Sequence, residues 1–431
     1  MKEKIKKFLP SFLIGWYHFI SALLGVLIYR FPSWELKVIG VTGTNGKSTV
    51  VEMASKILEE AGYKVASISS IKFKTGEKEW LNTLKMTMPG RFQIQKFLRQ
   101  AVENGCQYAV LEVTSEGIKQ HRHRFINFEI AVFTNLTPEH IEAHGSFEKY
   151  REAKGKLFKA TKGIHIINLD DENAEYFLKF PAKKKICFAL NERSEEPFSA
   201  IKTKNIQVFQ SGLKFFVDDT EFNLKLLGEF NISNALAAIC VALSQEISLE
   251  ICKKALEKIK KIPGRMEEVI SQPFKVFVDY AFTPTALEKV YQTLQRTKNK
   301  EQRTKMICVL GSCGGGRDKW KRPVLGKLAA KYCDEVIVTN EDPYDENPLK
   351  IMEDIERGFS QISNFKFQIS KYTKILDRRE AIRESLKLAR PGDTIIITGK
   401  GCEPWICVAD GKKIAWDDRK VVKEEFQKLQ K

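Results

Sequence analysis

Short apolar strands alternate with helical stretches after Leu36, a glycine loop joins the first strand to the first helix, and the alternation restarts near Pro263-Gly264. These three observations predict an α/β protein of two domains. We place a P-loop central domain with a mostly parallel sheet at residues 37–262. A Rossmann-like C-terminal α/β domain follows at 263–431, and residues 1–36 form an apolar N-terminal segment with a short helix.

That N-terminal segment is the first element. Lys2, Lys4, Lys6 and Lys7 precede a mostly apolar run from Phe8 to Tyr29 that contains Trp16, Tyr17 and His18. Its length suits a bilayer span, and the lysines suit the cytoplasmic side of one. Pro10, Ser11, His18, Ser21 and two glycines lower its hydrophobicity. Three readings stay open: a helix in the plane of the membrane interface, a true span, and a helix packed on the protein itself. A cleaved signal peptide is disfavoured, because a nucleotide-binding pattern begins at once after it.

Lys37 to Thr42 is a short apolar strand, and the helix from Lys47 to about Glu60 is stopped by Ala61-Gly62. Tyr63 to Ser67 is the next strand. Pro89-Gly90 opens another helix and Asn104-Gly105 ends it. Strands follow at Tyr108 to Val113, Ile130 to Asn135 and Ile164 to Leu169. In the second domain the strands are Lys275 to Tyr280, Met306 to Gly311, Glu335 to Asn340 and Thr394 to Thr398.

Composition narrows the function classes. With 431 residues, 43% apolar and 29% charged, the chain is globular and too long for one ordinary core. A net charge of +17 calls for an anionic partner: nucleotide, nucleotide-sugar, acidic lipid or nucleic acid. Direct nucleic-acid binding is not expected. The basic residues are spread out, and no RNP-type or zinc-finger spacing accompanies them. Nine cysteines without a CxxC pair argue against a disulfide framework or structural zinc and for reduced thiols in the cytoplasm.

The segment Gly43-Thr44-Asn45-Gly46-Lys47-Ser48-Thr49 follows a strand and opens a helix. Glycines let backbone N–H groups approach phosphate oxygens, and the helix N-terminus adds partial positive charge. Lys47 would reach the β- and γ-phosphates of ATP and Ser48 would offer a hydroxyl to Mg²⁺. Val41 occupies the first glycine position of the strict Walker pattern. A phosphate-bound Mg²⁺ needs further ligands at the carboxyl ends of neighbouring strands. Glu112, at the end of Tyr108–Leu111, and His140, on the loop after Ala131–Asn135, are the candidates.

These residues sit in a longer series of motifs: GVTGTNGKST (40–49), EVTSEGIKQHR (112–122), AVFTNLTPEHIEAHG (131–145), YREAKGKLF (150–158), GEFNISNALAA (228–238), PGRMEEV (263–269), VDYAFTPTALE (278–288), GGRDKWKRP (315–323) and GKGCE (399–403). In this order they resemble the Mur ligase family over about residues 37–420, most closely its tripeptide-synthetase branch. The resemblance implies a cytoplasmic, monomeric ATP-dependent ligase of peptidoglycan synthesis. Its acceptor would be UDP-N-acetylmuramoyl-L-alanyl-D-glutamate or a like compound, activated as an acyl phosphate and attacked by the amine of a free amino acid, meso-diaminopimelate or another diamino acid. It implies ATP and Mg²⁺ as cofactors, with Lys47, Glu112, His140 and Lys154 as catalytic residues. Ser48 and Glu112 would hold one Mg²⁺ and His140 the second, beside Lys154 carbamylated by CO₂. Asn231 and Asn234 would face the adenine, and Arg265 and Asp279 would meet the nucleotide as the domains close. Thr87, Thr114, Gln120 and Arg122 match muramoyl-peptide contacts; Arg317, Asp342, Tyr344, Gly399 and Glu403 match the amino-acid side, where Glu403 would pair with an ammonium.

Four departures qualify the resemblance. Only 36 residues precede the central domain, so the family's N-terminal UDP-gripping domain has no counterpart, and the acceptor handle is expected to differ. The apolar segment places the enzyme at the inner face of the membrane in one reading, beside a lipid-linked acceptor. Thr339-Asn340-Glu341-Asp342-Pro343-Tyr344 stands where diaminopimelate-adding enzymes resemble TSDNPR, so Tyr344 replaces a bidentate donor. Phe282 and Cys402 replace family histidines. The alternatives are a related ligase with a lipid-linked or non-UDP acceptor, and a non-ligating nucleotide-binding scaffold at the membrane. A folylpolyglutamate-type enzyme is opposed by the EVTS…QHR segment.

Overall fold

The computed structural model describes residues 11–84, 86–190, 200–297, 304–361 and 371–430. Lys2, Lys4, Lys6, Lys7 and Phe8 to Pro10 therefore lie outside the described residues.

Eleven strands form the first sheet: β1 (Lys37–Thr42), β2 (Val65–Ile68), β3 (Lys72–Thr75), β4 (Lys78–Leu81), β5 (Tyr108–Glu112), β6 (Phe128–Phe133), β7 (Ile164–Asn168), β8 (Lys184–Ala189), β9 (Ala200–Phe209), β10 (Gly212–Val217) and β11 (Thr220–Leu224). Their spatial order is β11-β10-β9-β8-β7-β6-β1-β5-β2-β3-β4. The strands from β2 through β9 across the middle of the sheet pair in parallel, while β3–β4 and β10–β11 are antiparallel additions at the two edges. Strand alternation divides the core. Ile39 and Val41 face the helices Lys47–Glu60, Phe230–Leu243 and Leu249–Glu257, whereas Val38 faces the helices Arg91–Glu103 and Phe147–Ala160 on the other side. A strand covered on both faces must be apolar at nearly every position, and β1 and β5 are.

The second sheet has the order β12-β13-β17-β14-β15-β16, built from β12 (Glu267–Ile270), β13 (Lys275–Asp279), β14 (Met306–Leu310), β15 (Glu335–Thr339), β16 (Lys371–Ile375) and β17 (Thr394–Thr398). Among the described strands of this sheet, only β12 is antiparallel. Alternation again splits its core, with Ile396 on one face and Ile395 and Ile397 on the other.

Several strand boundaries move by one or two residues, β6 for example running Phe128–Phe133 instead of Ile130–Asn135, and one shift has a visible cause. The chain from Tyr63 is expected extended, but Gly62 takes φ +91° and the Tyr63 N–H returns to the Leu58 carbonyl at 3.1 Å. That closing turn delays the strand to Val65.

The apolar segment forms the helix Ser11–Ile28, seated on the helix Arg91–Glu103. Ala22, Val26 and His18 are buried there, and His18 Nδ1 meets the Arg91 guanidinium. Arg91 Nε in turn donates to the Gln120 carbonyl at 2.8 Å. No helix among the described residues is long and apolar enough to cross a membrane.

Candidate functional site

Every candidate catalytic, nucleotide, acceptor, amino-acid and metal residue named above lines one cleft of about 1030 Å³ between the two sheet units. The topology explains its position. β1 lies between β5 and β6, so the loops leaving these three strands open side by side at the carboxyl edge, where α/β sheets hold ligands.

The phosphate loop is tied down from outside. The Thr44 N–H donates to the Asn135 carbonyl (2.8 Å) and the Asn45 N–H to Asn135 Oδ1 (2.9 Å). Gly46 has φ +84°, and a Cβ there would run into Asn234 Oδ1. A side chain is excluded twice over, by the left-handed backbone and by the approach of the helix Phe230–Leu243. Asn234 Nδ2 donates to Asn231 Oδ1 (3.0 Å) and Asn231 Nδ2 to the Leu227 carbonyl (2.7 Å).

Inside the loop, Lys47 Nζ donates to the Thr44 carbonyl (2.8 Å) and lies 3.7 Å from Glu112. Ser48 Oγ donates to Glu112 Oε2 at 2.7 Å. Arg265, from the second domain, stacks on the Tyr280 ring at 4.5 Å and donates to Ser48 and Ser70 Oγ at 3.1 and 3.0 Å. Asp279 is occupied locally, accepting from the Met266 and Ala281 N–H groups at 2.6 Å each.

Lys154 comes from the buried face of the helix Phe147–Ala160. Its Nζ donates to the Gly43 carbonyl (2.6 Å) and lies 4.6 Å from the centre of the Tyr150 ring. Burial, reinforced by the charge of Lys47, holds its ammonium well below the ordinary lysine range. Burial lowers Lys47 as well, against the pull of Glu112. Lys47, paired with Glu112 at the helix N-terminus, favours an added polyanion. His140, at φ +58°, accepts from Arg317 at 3.3 Å, and burial keeps its imidazole neutral.

The donor set fits Mg²⁺. Ser48 Oγ and Glu112 together offer oxygen donors of the kind Mg²⁺ takes, His140 offers a separate neutral imidazole, and Glu139 Oε2, next to it in the chain, is buried without a hydrogen-bond partner among the described residues.

On the wall toward the N-terminal helix, Arg122 donates to the Met88 carbonyl and, at 2.7 Å, to Gln120 Oε1. Its Nε is buried without a partner among the described residues. Thr114 Oγ1 caps the short helix Ser115–Lys119 by accepting from the Gly117 N–H at 3.1 Å, and Thr87 lines the cleft beside it.

On the third wall the expected free carboxylates are already engaged. Lys400, fully buried, donates to both oxygens of Asp342 at 2.9 Å and to Glu403 at 2.6 Å. Glu403 also accepts from the Tyr280 hydroxyl at 3.0 Å. The carboxylate with an open oxygen is Glu341, whose Oε1 accepts from Cys313 (2.8 Å) and whose Oε2 has no partner among the described residues. Gly399, at φ +103°, brings its backbone against Glu341. Arg317 turns toward His140 and so sits at the junction of two walls.

Sequence reasoning missed the closure between the domains. Lys321 and Glu139 form an ion pair of 2.8 Å with both side chains about 2% exposed. Asp318 accepts from the Ile141 and Glu142 N–H groups at 3.2 and 2.9 Å. The Lys321 ammonium also lies 4.8 Å from the centre of the Phe282 ring, which gives that unexpected phenylalanine a structural task. Cys402, the other departure, is a partly buried thiol pushed up to about 11 by desolvation, neutral at physiological pH.

Residues 41–242 match the Mur ligase middle domain, and residues 264–401 match the Mur ligase glutamate ligase domain. The UDP-N-acetylmuramoyl-L-alanyl-D-glutamate–2,6-diaminopimelate ligase of Syntrophomonas wolfei is 38% identical over 410 residues, covering 94% of this chain and 81% of that protein. The UDP-N-acetylmuramyl-tripeptide synthetase of a Roseiflexus species is 34% identical, covering 92% and 80%. A solved structure of a UDP-N-acetylmuramoyl-L-alanyl-D-glutamate–2,6-diaminopimelate ligase superposes with a TM-score of 0.60 at 30% identity, covering 92% of this chain and 79% of the other. The folylpolyglutamate synthase of Mycobacterium tuberculosis, at 17% identity and a TM-score of 0.69, shares the fold.

Proposed function

The chain belongs to the Mur ligase family and is an ATP-dependent ligase of its tripeptide-synthetase type, and we propose that it joins meso-diaminopimelate to a UDP-N-acetylmuramoyl-L-alanyl-D-glutamate-like acceptor. Residues 37–262 and 263–431 serve as the two domains. The observation that carries this reading is the convergence of three walls on one cleft: the Lys47–Glu112–Ser48 cluster, the Gln120–Arg122 corner, and the Glu341–Asp342–Glu403 group.

In this reading Gly43 to Thr49 cradle the phosphates of ATP, with Lys47 on the transferring end. Asn231 and Asn234 lie toward the base, and Arg265 and Asp279 carry the second domain onto the nucleotide. Ser48 and Glu112 hold one Mg²⁺, and His140 with carbamylated Lys154 holds another. Bound Mg²⁺ supplies charge neutralisation on the phosphates. Thr87, Thr114, Gln120 and Arg122 orient the acceptor so that its carboxylate takes the γ-phosphoryl group. Arg317, Asp342, Tyr344, Gly399 and Glu403 position the amine that then displaces phosphate. Lys154 fits the carbamate role because a buried amine held below its ordinary range has the free lone pair that CO₂ requires. The protein acts as a monomer in the cytoplasm, where ATP and nucleotide-linked acceptors are.

A second reading concerns the amine. Tyr344 offers no guanidinium for a distal carboxylate, and Glu341 Oε2 is buried without a hydrogen-bond partner among the described residues; both favour lysine or another diamine. One experiment addresses both readings. The protein is incubated with ATP, Mg²⁺ and UDP-muramoyl-dipeptide against a panel of amino acids, and products are identified by mass. A tripeptide with diaminopimelate supports the first reading, and one with lysine alone the second. ATP binding without product from any amino acid rejects both.

A further inference from the structure

We propose that the open face of the helix Ser11–Ile28, with the turn after it, lies in the plane of an anionic bilayer surface. The helix has no charged residue, so only neighbouring structure decides where it meets water. Trp16, Tyr17, Ile20, Leu24, Leu27 and Ile28 are all exposed. At about 100° per residue they share one arc about 120° wide. His18, Ala22 and Val26 fall on the opposite side and are buried. The turn adds Phe31 and Trp34, the latter 71% exposed. Single exposed apolar side chains need no explanation, but a continuous row this long marks a contact surface.

Two features select lipid as the occupant. Aromatic side chains close both ends of the row, Trp16 and Tyr17 at one and Phe31 and Trp34 at the other, with aliphatic residues between them. Amphipathic rings prefer the headgroup boundary. The second feature is charge. Lys2, Lys4, Lys6 and Lys7 precede the helix, with Glu3 alone opposing them, in a chain of net charge +17. Basic residues next to an apolar face bind anionic leaflets. A span is the wrong geometry. The seat on the helix Arg91–Glu103 and the His18–Arg91 contact cover the other side, so lipid can meet one face only.

This proposal does not depend on the ligase reading, because the test contains no acceptor. The full chain is floated with vesicles of phosphatidylglycerol and phosphatidylcholine, and with phosphatidylcholine alone. The expected result is flotation with the anionic vesicles. Leu24→Glu and Leu27→Glu, both on the open face, should each lower vesicle affinity by about tenfold or more. A chain with Lys2, Lys4, Lys6 and Lys7 all changed to Gln should lose the preference for phosphatidylglycerol. Thermal unfolding of each variant shows that it is folded, and Trp34→Ala gives an uncharged alternative should a glutamate disturb the fold. Absence of flotation by the wild type overturns the proposal, as does flotation that the face variants leave unchanged. A sedimenting dimer that Leu24→Glu dissociates would instead assign the face to a second copy.

Discussion

Changing Lys321 to methionine removes one partner of the buried pair that joins the domains, and the structure sets the cost. The ammonium lies 2.8 Å from Glu139 and 4.8 Å from the centre of the Phe282 ring, in a contact about 2% exposed. With the domains apart, Glu139 would be solvated. Closed over methionine, it would be an unpaired buried carboxylate, a penalty of about 3–5 kcal/mol. At about 1.4 kcal/mol per decade, the closed arrangement should lose about two to three and a half decades of population. Burial already holds the Glu139 carboxyl above its ordinary range against the pull of Lys321, and losing the ammonium raises it further. A raised carboxyl supports the closed form at low pH and loses that support as pH rises through the raised value. Closure in Lys321→Met should therefore recover on acidification, and adding Glu139→Gln should restore it at neutral pH. Small-angle scattering and amine-dependent ADP release for the wild type, both single variants and the double variant complete the cycle. Wild-type scattering and turnover in Lys321→Met would refute the reasoning, as would single effects that add within about 0.5 kcal/mol.

Three further outcomes are expected. Lys154→Met should lower turnover by about 10²–10³-fold. Because its ammonium is depressed by burial, the variant should also flatten the rise of thermal stability with pH that a depressed lysine imposes below its unfolded value; pH-dependent melting curves check this. Gly46→Ala places a Cβ against Asn234 in a left-handed backbone, a strain of about 1–2 kcal/mol before the clash, so ADP binding by calorimetry should weaken at least about tenfold. Arg265→Lys keeps the charge but not the forked contact with Ser48 and Ser70 or the stacking on Tyr280. The KM for ATP should rise about tenfold while melting changes little.

What the sequence revealed follows from distance along the chain. The strand–glycine loop–helix unit at 37–60 is local, so its period and its glycines announce it. Glu112 was legible because β5 is a continuous apolar run with a carboxylate at its end. The Glu139–Lys321 pair was not, since its partners stand far apart and each looks like an ordinary charged loop or helix residue. Likewise nothing local shows that Lys400 neutralises Asp342 and Glu403 and leaves Glu341 as the carboxylate with an open oxygen. Tyr63 misled because an aromatic just ahead of the short run Val65-Ala66-Ser67-Ile68 suggests a strand, while the turn at Gly62 had a prior claim on its N–H.

The contact chain from His18 through Arg91 to the Gln120 carbonyl has a practical bearing on how the enzyme is handled. Trimming the apolar helix to improve expression would also unseat Arg91, the brace behind the corner where Gln120 and Arg122 meet. A shortened enzyme would then show a higher KM for the acceptor with an unchanged KM for ATP. That defect would be easy to misread as a lost anchor when its origin is a loosened hinge pin one layer below the cleft.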